Sequence, residues 1–191
     1  MTSIEVADFL RANVDWARFA RLTKALDKQL NNEQLRFLKA RVFEKSIEKY
    51  SNGTLQYVAE PGCDFIMIGL HNIRLEMKYT EGAIYTPKKG NLKDSCSIKL
   101  TNSNGTNTHS TLPPYYADYL MFVSDRGAIL FDKNTLQSHS TSNGDGIHAV
   151  VPTSMGTMIA DNTVMTGDNQ LEVDFIQQLD RSVELYASNI L

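Results

Sequence analysis

Residues 63–79, CDFIMIGLHNIRLEMKY, alternate apolar and polar side chains through two short runs. This alternation predicts half-buried β-strands, and Gly-Leu-His-Asn between the runs predicts the turn of a hairpin. Asp64, Glu76 and Lys78 interrupt the apolar residues, although burying a charge costs free energy unless the charge is paired or binds a metal. These three residues therefore lie either on a solvated face or in a site.

Helical and strand patterns surround this hairpin. Apolar residues recur at three- and four-residue steps before it, and Asn31 or Asn32 is a candidate cap for a helix that ends at Ser-Asn-Gly, residues 51–53. A second hairpin is predicted at 119–131, with Ser-Asp-Arg-Gly as its turn. Further strands are predicted at CSIKL (96–100), IHAVV (147–151) and GTMIA (156–160), a short helix from Asn134, and a final helix from Gly167.

Helices at both ends with strands between them predict an α/β or α+β fold. We expect one mixed central sheet flanked by N- and C-terminal helices. The length of 191 residues suits a single domain, 1–191. Its predicted parts are a helical region at 1–50, a core at 54–132 and the C-terminal helix at 167–191.

The composition excludes several classes of protein. With 42% hydrophobic and 21% charged residues the chain is typical of soluble globular proteins, and no apolar run approaches the about 20 residues of a membrane span. The first residues lack the pattern of a signal peptide, so a cytoplasmic protein is expected. The two cysteines form no CxxC pair that would indicate zinc.

The net charge of −3 argues against a histone-like binder of nucleic acid, but the charge is unevenly distributed. Residues 17–50 contain nine Lys or Arg against four acids. One face could meet a polyanion, and a solvated basic helix is the alternative.

Strand geometry brings the three charged residues together. Alternate side chains share a face, so Glu76 and Lys78 point away from Met77 and its apolar neighbours. Asp64 begins the preceding strand, and antiparallel pairing places it beside the end of the next. Two carboxylates can hold Mg²⁺ through oxygen, and an ammonium group can offset charge on a phosphate. This set is suited to metal-assisted hydrolysis of phosphodiesters, and a surface hairpin with a Glu–Lys pair is the alternative.

The segment Pro61-Gly62-Cys63-Asp64, followed twelve residues later by Glu76-Met77-Lys78, resembles the signature of the PD-(D/E)XK nucleases. Pro61 departs from the usual place of the proline, directly before the Asp. The resemblance implies a restriction-endonuclease-like core in which Asp64 and Glu76 bind Mg²⁺ with help from the Met77 carbonyl. It also implies that Lys78 acts on the attacking water.

Members of this family often carry a further acid on the N-terminal helix, facing the metal. The candidates here are Glu44 and Glu48. A salt bridge within the basic helix is the alternative for either residue.

A polar segment follows the predicted hairpin, and its position is similar to that of the DNA-recognition segment of small type II restriction endonucleases. Asn can pair with adenine, Ser and Thr bond to base edges, and Lys neutralises phosphates. We therefore predict a recognition loop at about 88–112, with residues 138–146 as a weaker second candidate. The predicted DNA-binding residues are Lys88, Lys89, Lys93, Asn102, Ser103, Asn104, Thr106, Asn107 and His109.

The expected function is that of a homodimeric, Mg²⁺-dependent type II restriction endonuclease. Such an enzyme cleaves double-stranded DNA at a short palindromic site and leaves 5′-phosphate ends. A two-fold dimer presents two active sites to the two antiparallel strands. The alternatives are a junction resolvase or repair nuclease of the same fold, and a non-catalytic DNA- or protein-binding module in which Glu76 and Lys78 form a structural salt bridge.

Overall fold

Helices form the described part of the N-terminal region. The structure, a computed structural model of the chain, describes residues 1–29, 36–60, 62–69, 72–81, 84–85, 91–102, 117–143 and 146–166. Before residue 51 it contains α1 (Ser3–Asn13), α2 (Trp16–Gln29) and α3 (Arg36–Tyr50). Thr2 and Glu5 form a capping box that begins α1, because each side chain accepts from the backbone N–H of the other.

Helix α3 ends at Ser-Asn-Gly, residues 51–53, as predicted. Asn52 and Gly53 both have positive φ, 51° and 81°, which is a backbone conformation that ends helices and suits Asn and Gly. Phe43 and Ile47 are fully buried one turn apart on this helix. The cap predicted at Asn31 or Asn32 lies outside the described residues.

Six of the described strands form a mixed central sheet, as expected. The strands are β1 (Leu55–Glu60), β2 (Cys63–Met67), β3 (Arg74–Tyr79), β4 (Ser95–Asn102), β5 (Tyr119–Ser124), β6 (Gly127–Asp132), β7 (Ser140–Asn143), β8 (Gly146–Pro152) and β9 (Thr157–Ala160). The order in the central sheet is β1-β2-β3-β5-β6-β9. Its neighbours are antiparallel except for β3 and β5, which run parallel. Both predicted hairpins are therefore confirmed.

The expectation of one sheet was wrong. The predicted strands at 96–100 and 147–151 belong to a separate three-stranded sheet with the order β4-β8-β7. Its third strand, β7, lies in the segment 138–146 that was predicted as a loop. Buried Cys96 and Ile98 of β4 pack against Phe122 and Ile129 of the central sheet. A second sheet forms because both faces of the central sheet are apolar and each must be covered.

The central sheet thus lies between two layers. On one face Leu75, Met77 and Met121 pack with residues of the helices, including Phe43 and Ile47. On the other face Leu120 and Phe122 pack with the small sheet. Strands β5 and β6 are buried on both faces, which explains why their sequences are continuous apolar runs rather than alternating ones. The fold is mixed α+β.

The last helices are short where they are described. The helix α4 (Lys133–Ser138) begins one residue before the predicted start, and the Asp132 side chain caps it by accepting from the backbone N–H of Thr135 at 2.9 Å. The helix α5 (Asn162–Thr166) precedes the C-terminal helix predicted at 167–191, which lies outside the described residues. Among the described helices, none combines the length and the apolarity that crossing a membrane requires.

We expect Gly156→Ala to lower the free energy of unfolding by about 1–3 kcal/mol. A Cβ atom there would lie 2.3 Å from Cγ2 of Ile129 and 2.7 Å from the ring of Phe131, so the packing against β6 must shift. Urea denaturation measures the change. Ser154→Ala, two residues earlier at an exposed position, serves as the control. An equal effect of the two substitutions would contradict the packing argument.

Candidate functional site

Strands β2 and β3 separate at the position where Asp64 and Glu76 lie. Strands β2 and β3 pair at Phe65–Leu75 and Ile66–Arg74, and the same register would next place Asp64 opposite Glu76. Backbone pairing stops there. The Oδ2 atom of Asp64 instead accepts a hydrogen bond of 2.7 Å from the backbone N–H of Met77. The Asp64 carboxylate therefore replaces a backbone partner and is held beside the strand that carries Glu76.

Glu76 and Lys78 share one face of β3. They are in register with Leu120 and Phe122 of β5, whereas Met77 between them is buried on the face that packs with the helices. The Nζ atom of Lys78 donates to Oε1 of Glu76. The exposed fractions of the two side chains are 32% for Lys78 and 15% for Glu76, so solvent reaches the pair. Asp64, Glu76 and Lys78 are thus brought together, as the sequence predicted.

Helix α3 contributes a third carboxylate. The charges of Glu76 and Lys78 both act on Glu44, and Glu44 in turn acts on Asp64. Burial raises the pKa of the Glu44 carboxyl, and the negative charge of Glu76 raises it further, while Arg41, whose Nη1 lies 3.5 Å from Oε2 of Glu44, opposes the shift. Of the two candidate acids, Glu44 is thus the one on which the charges of Glu76 and Lys78 act, and its role in the site stays a prediction.

Glu48, the other candidate acid, is hydrogen-bonded to the edge strand β1 of the central sheet. Its Oε1 atom accepts from the backbone N–H of Tyr57 in β1 at 2.7 Å, and its Oε2 atom accepts from Lys45 at 2.9 Å. Glu44 and Glu48 each also form an ion pair with a residue of α3, which agrees with the alternative of a salt bridge within the basic helix.

The Asp64 carboxyl has an unusual affinity for protons. Burial raises its pKa to about 7 and the negative charge of Glu76 adds to this effect, followed by that of Glu44. The hydrogen bond from Met77 and the charge of Lys78 act in the opposite direction. The carboxyls of Asp64 and Glu76 thus outnumber the single ammonium group of Lys78, and a cation would relieve the excess of negative charge.

The donor set suits a hard cation held by few protein ligands. In the described ranges no three or more His, Cys, Asp or Glu side chains are grouped as a metal-binding cluster. Mg²⁺ is usually held by one or two carboxylates, with waters and substrate phosphates completing the shell. Asp64 and Glu76, with the Met77 carbonyl, provide oxygen ligands of this kind. The residues therefore fit the predicted magnesium site.

An ion pair between a buried lysine and an exposed glutamate connects α3 to the end of β3. The Nζ atom of Lys39 lies 2.5 Å from Oε1 of Glu81, just beyond the strand. Lys39 is only 5% exposed and lies 5.9 Å from the ring centroids of both Phe43 and Tyr79. Because this lysine connects the helix of Glu44 to the strand of Lys78, it helps to set their relative position.

The predicted DNA contacts are described only in part. Lys93 is exposed, and its backbone is held by bonds to the carbonyl of Ile84 and from the hydroxyl of Thr153. Asn102 ends β4, paired with Gly146. The other predicted contacts lie outside the described residues: Lys88, Lys89, Ser103, Asn104, Thr106, Asn107 and His109.

Two basic residues beside the site were missed. Arg41 and Lys45 lie on the same helix as Glu44, three residues before it and one after it. Both belong to the basic residues of 17–50, and the charge count by itself does not distinguish them from the others. Their spacing of four residues, which places them on one helix face, was the available signal.

We expect Asp64→Asn to stabilise the chain in the absence of divalent cations above pH 7, by about 2 kcal/mol, since one pKa unit corresponds to about 1.4 kcal/mol and solvent reduces the effect. Asn keeps the acceptor for the Met77 N–H and removes a charge near Glu76 and Glu44. Because the folded pKa lies above the unfolded one, protonated Asp64 favours folding at low pH, and this contribution is lost as the pH rises through about 7. The gain should therefore shrink toward pH 4.

Thermal unfolding in EDTA at pH 4, 6 and 8 measures this change. Asp8→Asn, which removes an exposed carboxylate from α1, is the matched control. A lower melting temperature for Asp64→Asn at pH 8 would show that the folded chain does not disfavour the charged form of Asp64.

Comparisons with known proteins leave the family open. No family model matches the chain, and no curated protein matches it either. The resemblance carried by Asp64, Glu76 and Lys78 is therefore one of local sequence and geometry, and the inference of function depends on the site itself.

Proposed function

We propose that this chain is a Mg²⁺-dependent nuclease of the PD-(D/E)XK kind, which hydrolyses phosphodiester bonds in double-stranded DNA. The observation that carries the proposal is the meeting of Asp64, Glu76 and Lys78 where β2 and β3 part. The central mixed sheet, with helices on the face opposite the small sheet, is compatible with a restriction-endonuclease-like core.

Each residue has a definite task in this proposal. Mg²⁺ bound by Asp64 and Glu76 would act as a Lewis acid on the phosphate and lower the pKa of a bound water. The bond from the Met77 N–H holds the Asp64 carboxylate in one orientation, which is preorganisation for binding. Lys78, beside Glu76, orients the attacking water and offsets the charge that develops on the phosphate. Glu44 adds a third carboxylate beside the pair.

The narrower proposal is a type II restriction endonuclease. The resemblance and the polar segment at 88–112 support it, and a homodimer would let two such sites cut both strands of a palindrome. A binding module without catalysis is the second candidate. The ion pair between Lys78 and Glu76 favours it, because such a pair can be purely structural.

A digest of plasmid DNA and of a four-way junction, with Mg²⁺ or with EDTA, tests the proposal. Discrete plasmid fragments that require Mg²⁺ support a restriction endonuclease, and 5′-phosphate ends are expected. Cleavage of the junction alone points to a resolvase. If neither Mg²⁺ nor Mn²⁺ supports cleavage of any DNA, the nuclease assignment is wrong and Glu76–Lys78 is a structural pair.

A further inference from the structure

Two cations of α3 converge on one aromatic ring at the edge of the central sheet. The Nζ atom of Lys45 lies 4.1 Å from the centroid of the Tyr57 ring, and the Cζ atom of Arg41 lies 5.2 Å from it. Tyr57 belongs to β1, the edge strand of the central sheet, and its ring packs edge-to-face on Phe65 of β2 at 6.1 Å. The ring is therefore a fixed platform for both charges.

Holding two positive charges at one ring costs Coulomb energy, and the surroundings offset it. The ring face attracts both cations. Glu44 lies beside Arg41, and Glu48 bonds to Lys45 while it also accepts from the Tyr57 N–H. The exposed fractions of the cations are nevertheless 55% for Arg41 and 53% for Lys45. Both cations are thus positioned in advance and remain accessible to a ligand.

The negative charge of the carboxylates suggests a function for the ordered cations Arg41 and Lys45. Glu44, Asp64 and Glu76 outnumber Lys78, so the site by itself repels a polyanion. Arg41 contacts Glu44 directly, which places the pair of cations at the border of the acidic cluster. A phosphate that approaches Glu44 therefore meets both cations on the same helix. Because the cations are already ordered by Tyr57, little further side-chain entropy is lost on binding.

We infer that Arg41 and Lys45, ordered on Tyr57, form a clamp for backbone phosphates of duplex DNA next to the carboxylates. This inference rests on the proposed function, because the ligand is its substrate. The clamp holds phosphates without reading bases, since Arg forks and Lys charges recognise phosphate of any sequence. It therefore contributes affinity, and a share of its salt dependence, but no sequence preference.

The test measures binding of a fluorescein-labelled 30-base-pair duplex of arbitrary sequence by anisotropy, in Ca²⁺ and at 50–200 mM salt. We expect Arg41→Gln and Lys45→Gln each to weaken binding and to lower the slope of log affinity against log salt by about 0.9. Over a fourfold range of salt this equals about a 3.5-fold smaller loss of affinity for each lost contact. Lys24→Gln, which removes an exposed charge from α2, should leave the slope unchanged.

Two further variants test the role of the ring. Tyr57→Phe keeps the platform and should bind like the wild type, whereas Tyr57→Leu removes it and should weaken binding with an unchanged salt slope, because both charges remain. Circular dichroism confirms that each variant folds. If Arg41→Gln and Lys45→Gln behave like Lys24→Gln, the clamp is wrong.

Failure of the clamp and failure of the proposed nuclease activity give different results. A wild type that cuts DNA while both clamp variants bind normally refutes only the clamp. A wild type that binds through Arg41 and Lys45 but never cuts refutes only the nuclease. A wild type that binds no DNA refutes both.

Discussion

Asp64→Asn and Glu76→Gln are each expected to lower DNA cleavage in Mg²⁺ by about a thousandfold or more. Each substitution removes a charged oxygen ligand from a metal site with few protein ligands. A Lewis-acid metal contributes several kcal/mol to the transition state, and each 1.4 kcal/mol is a factor of about ten in rate. The amide at position 64 can still accept from the Met77 N–H, so the fold should persist. Single-turnover cleavage of plasmid DNA measures the loss.

The same variants should still bind DNA in Ca²⁺, because each loses a negative charge beside the phosphates. Asp8→Asn, at an exposed position on α1, removes the same charge away from the site and should cut at the wild-type rate. Near wild-type cleavage by either site variant would show that its carboxylate is not a metal ligand.

Lys78→Ala is expected to lower the single-turnover rate by about 10²- to 10⁴-fold with little change in DNA affinity, because its ammonium acts on the water and on the transition state. Without Lys78, Glu76 loses its ion pair and keeps its carboxylate as a metal ligand. We therefore do not expect the fall in rate to come from loss of the metal. Raised pH should restore part of the rate if activation of the water is what was lost.

Lys93→Ala provides the contrast. Lys93 is exposed on the segment before β4 and was predicted to contact phosphates, so its loss should weaken binding and spare the rate at saturating enzyme. If Lys78→Ala instead loses affinity and keeps its saturated rate, Lys78 is a phosphate contact rather than a catalytic residue.

The local pattern of residues 63–79 was sufficient to predict that Asp64, Glu76 and Lys78 lie close together. Alternation assigned Asp64 and Glu76 to strands, and antiparallel pairing of these strands required the two acids to approach one another. The approach itself differs from simple pairing. The hydrogen bond that Asp64 accepts from the Met77 N–H depends on where the pairing of β2 with β3 ends, and alternation carries no information about that.

The number of sheets followed from long-range packing. The apolar runs of β5 and β6 indicated burial on both faces, but they did not indicate which element covers each face. Strand pairing depends on partners far apart in the chain, so β4 and β8 could be identified as strands without being assigned to a second sheet. The parallel pairing of β3 with β5 likewise depends on partners that are far apart in the chain.

The sequence by itself placed Glu44 and Glu48 on one helix, and only the tertiary structure decided what surrounds each of them. Glu44 and Glu48 are one helical turn apart and share a helix face, so sequence periodicity cannot separate them. The contact of α3 with β1 places Glu48 on the Tyr57 N–H. The same contact leaves Glu44 beside Glu76 and Lys78, because one turn displaces the two carboxylates by about 6 Å along the helix.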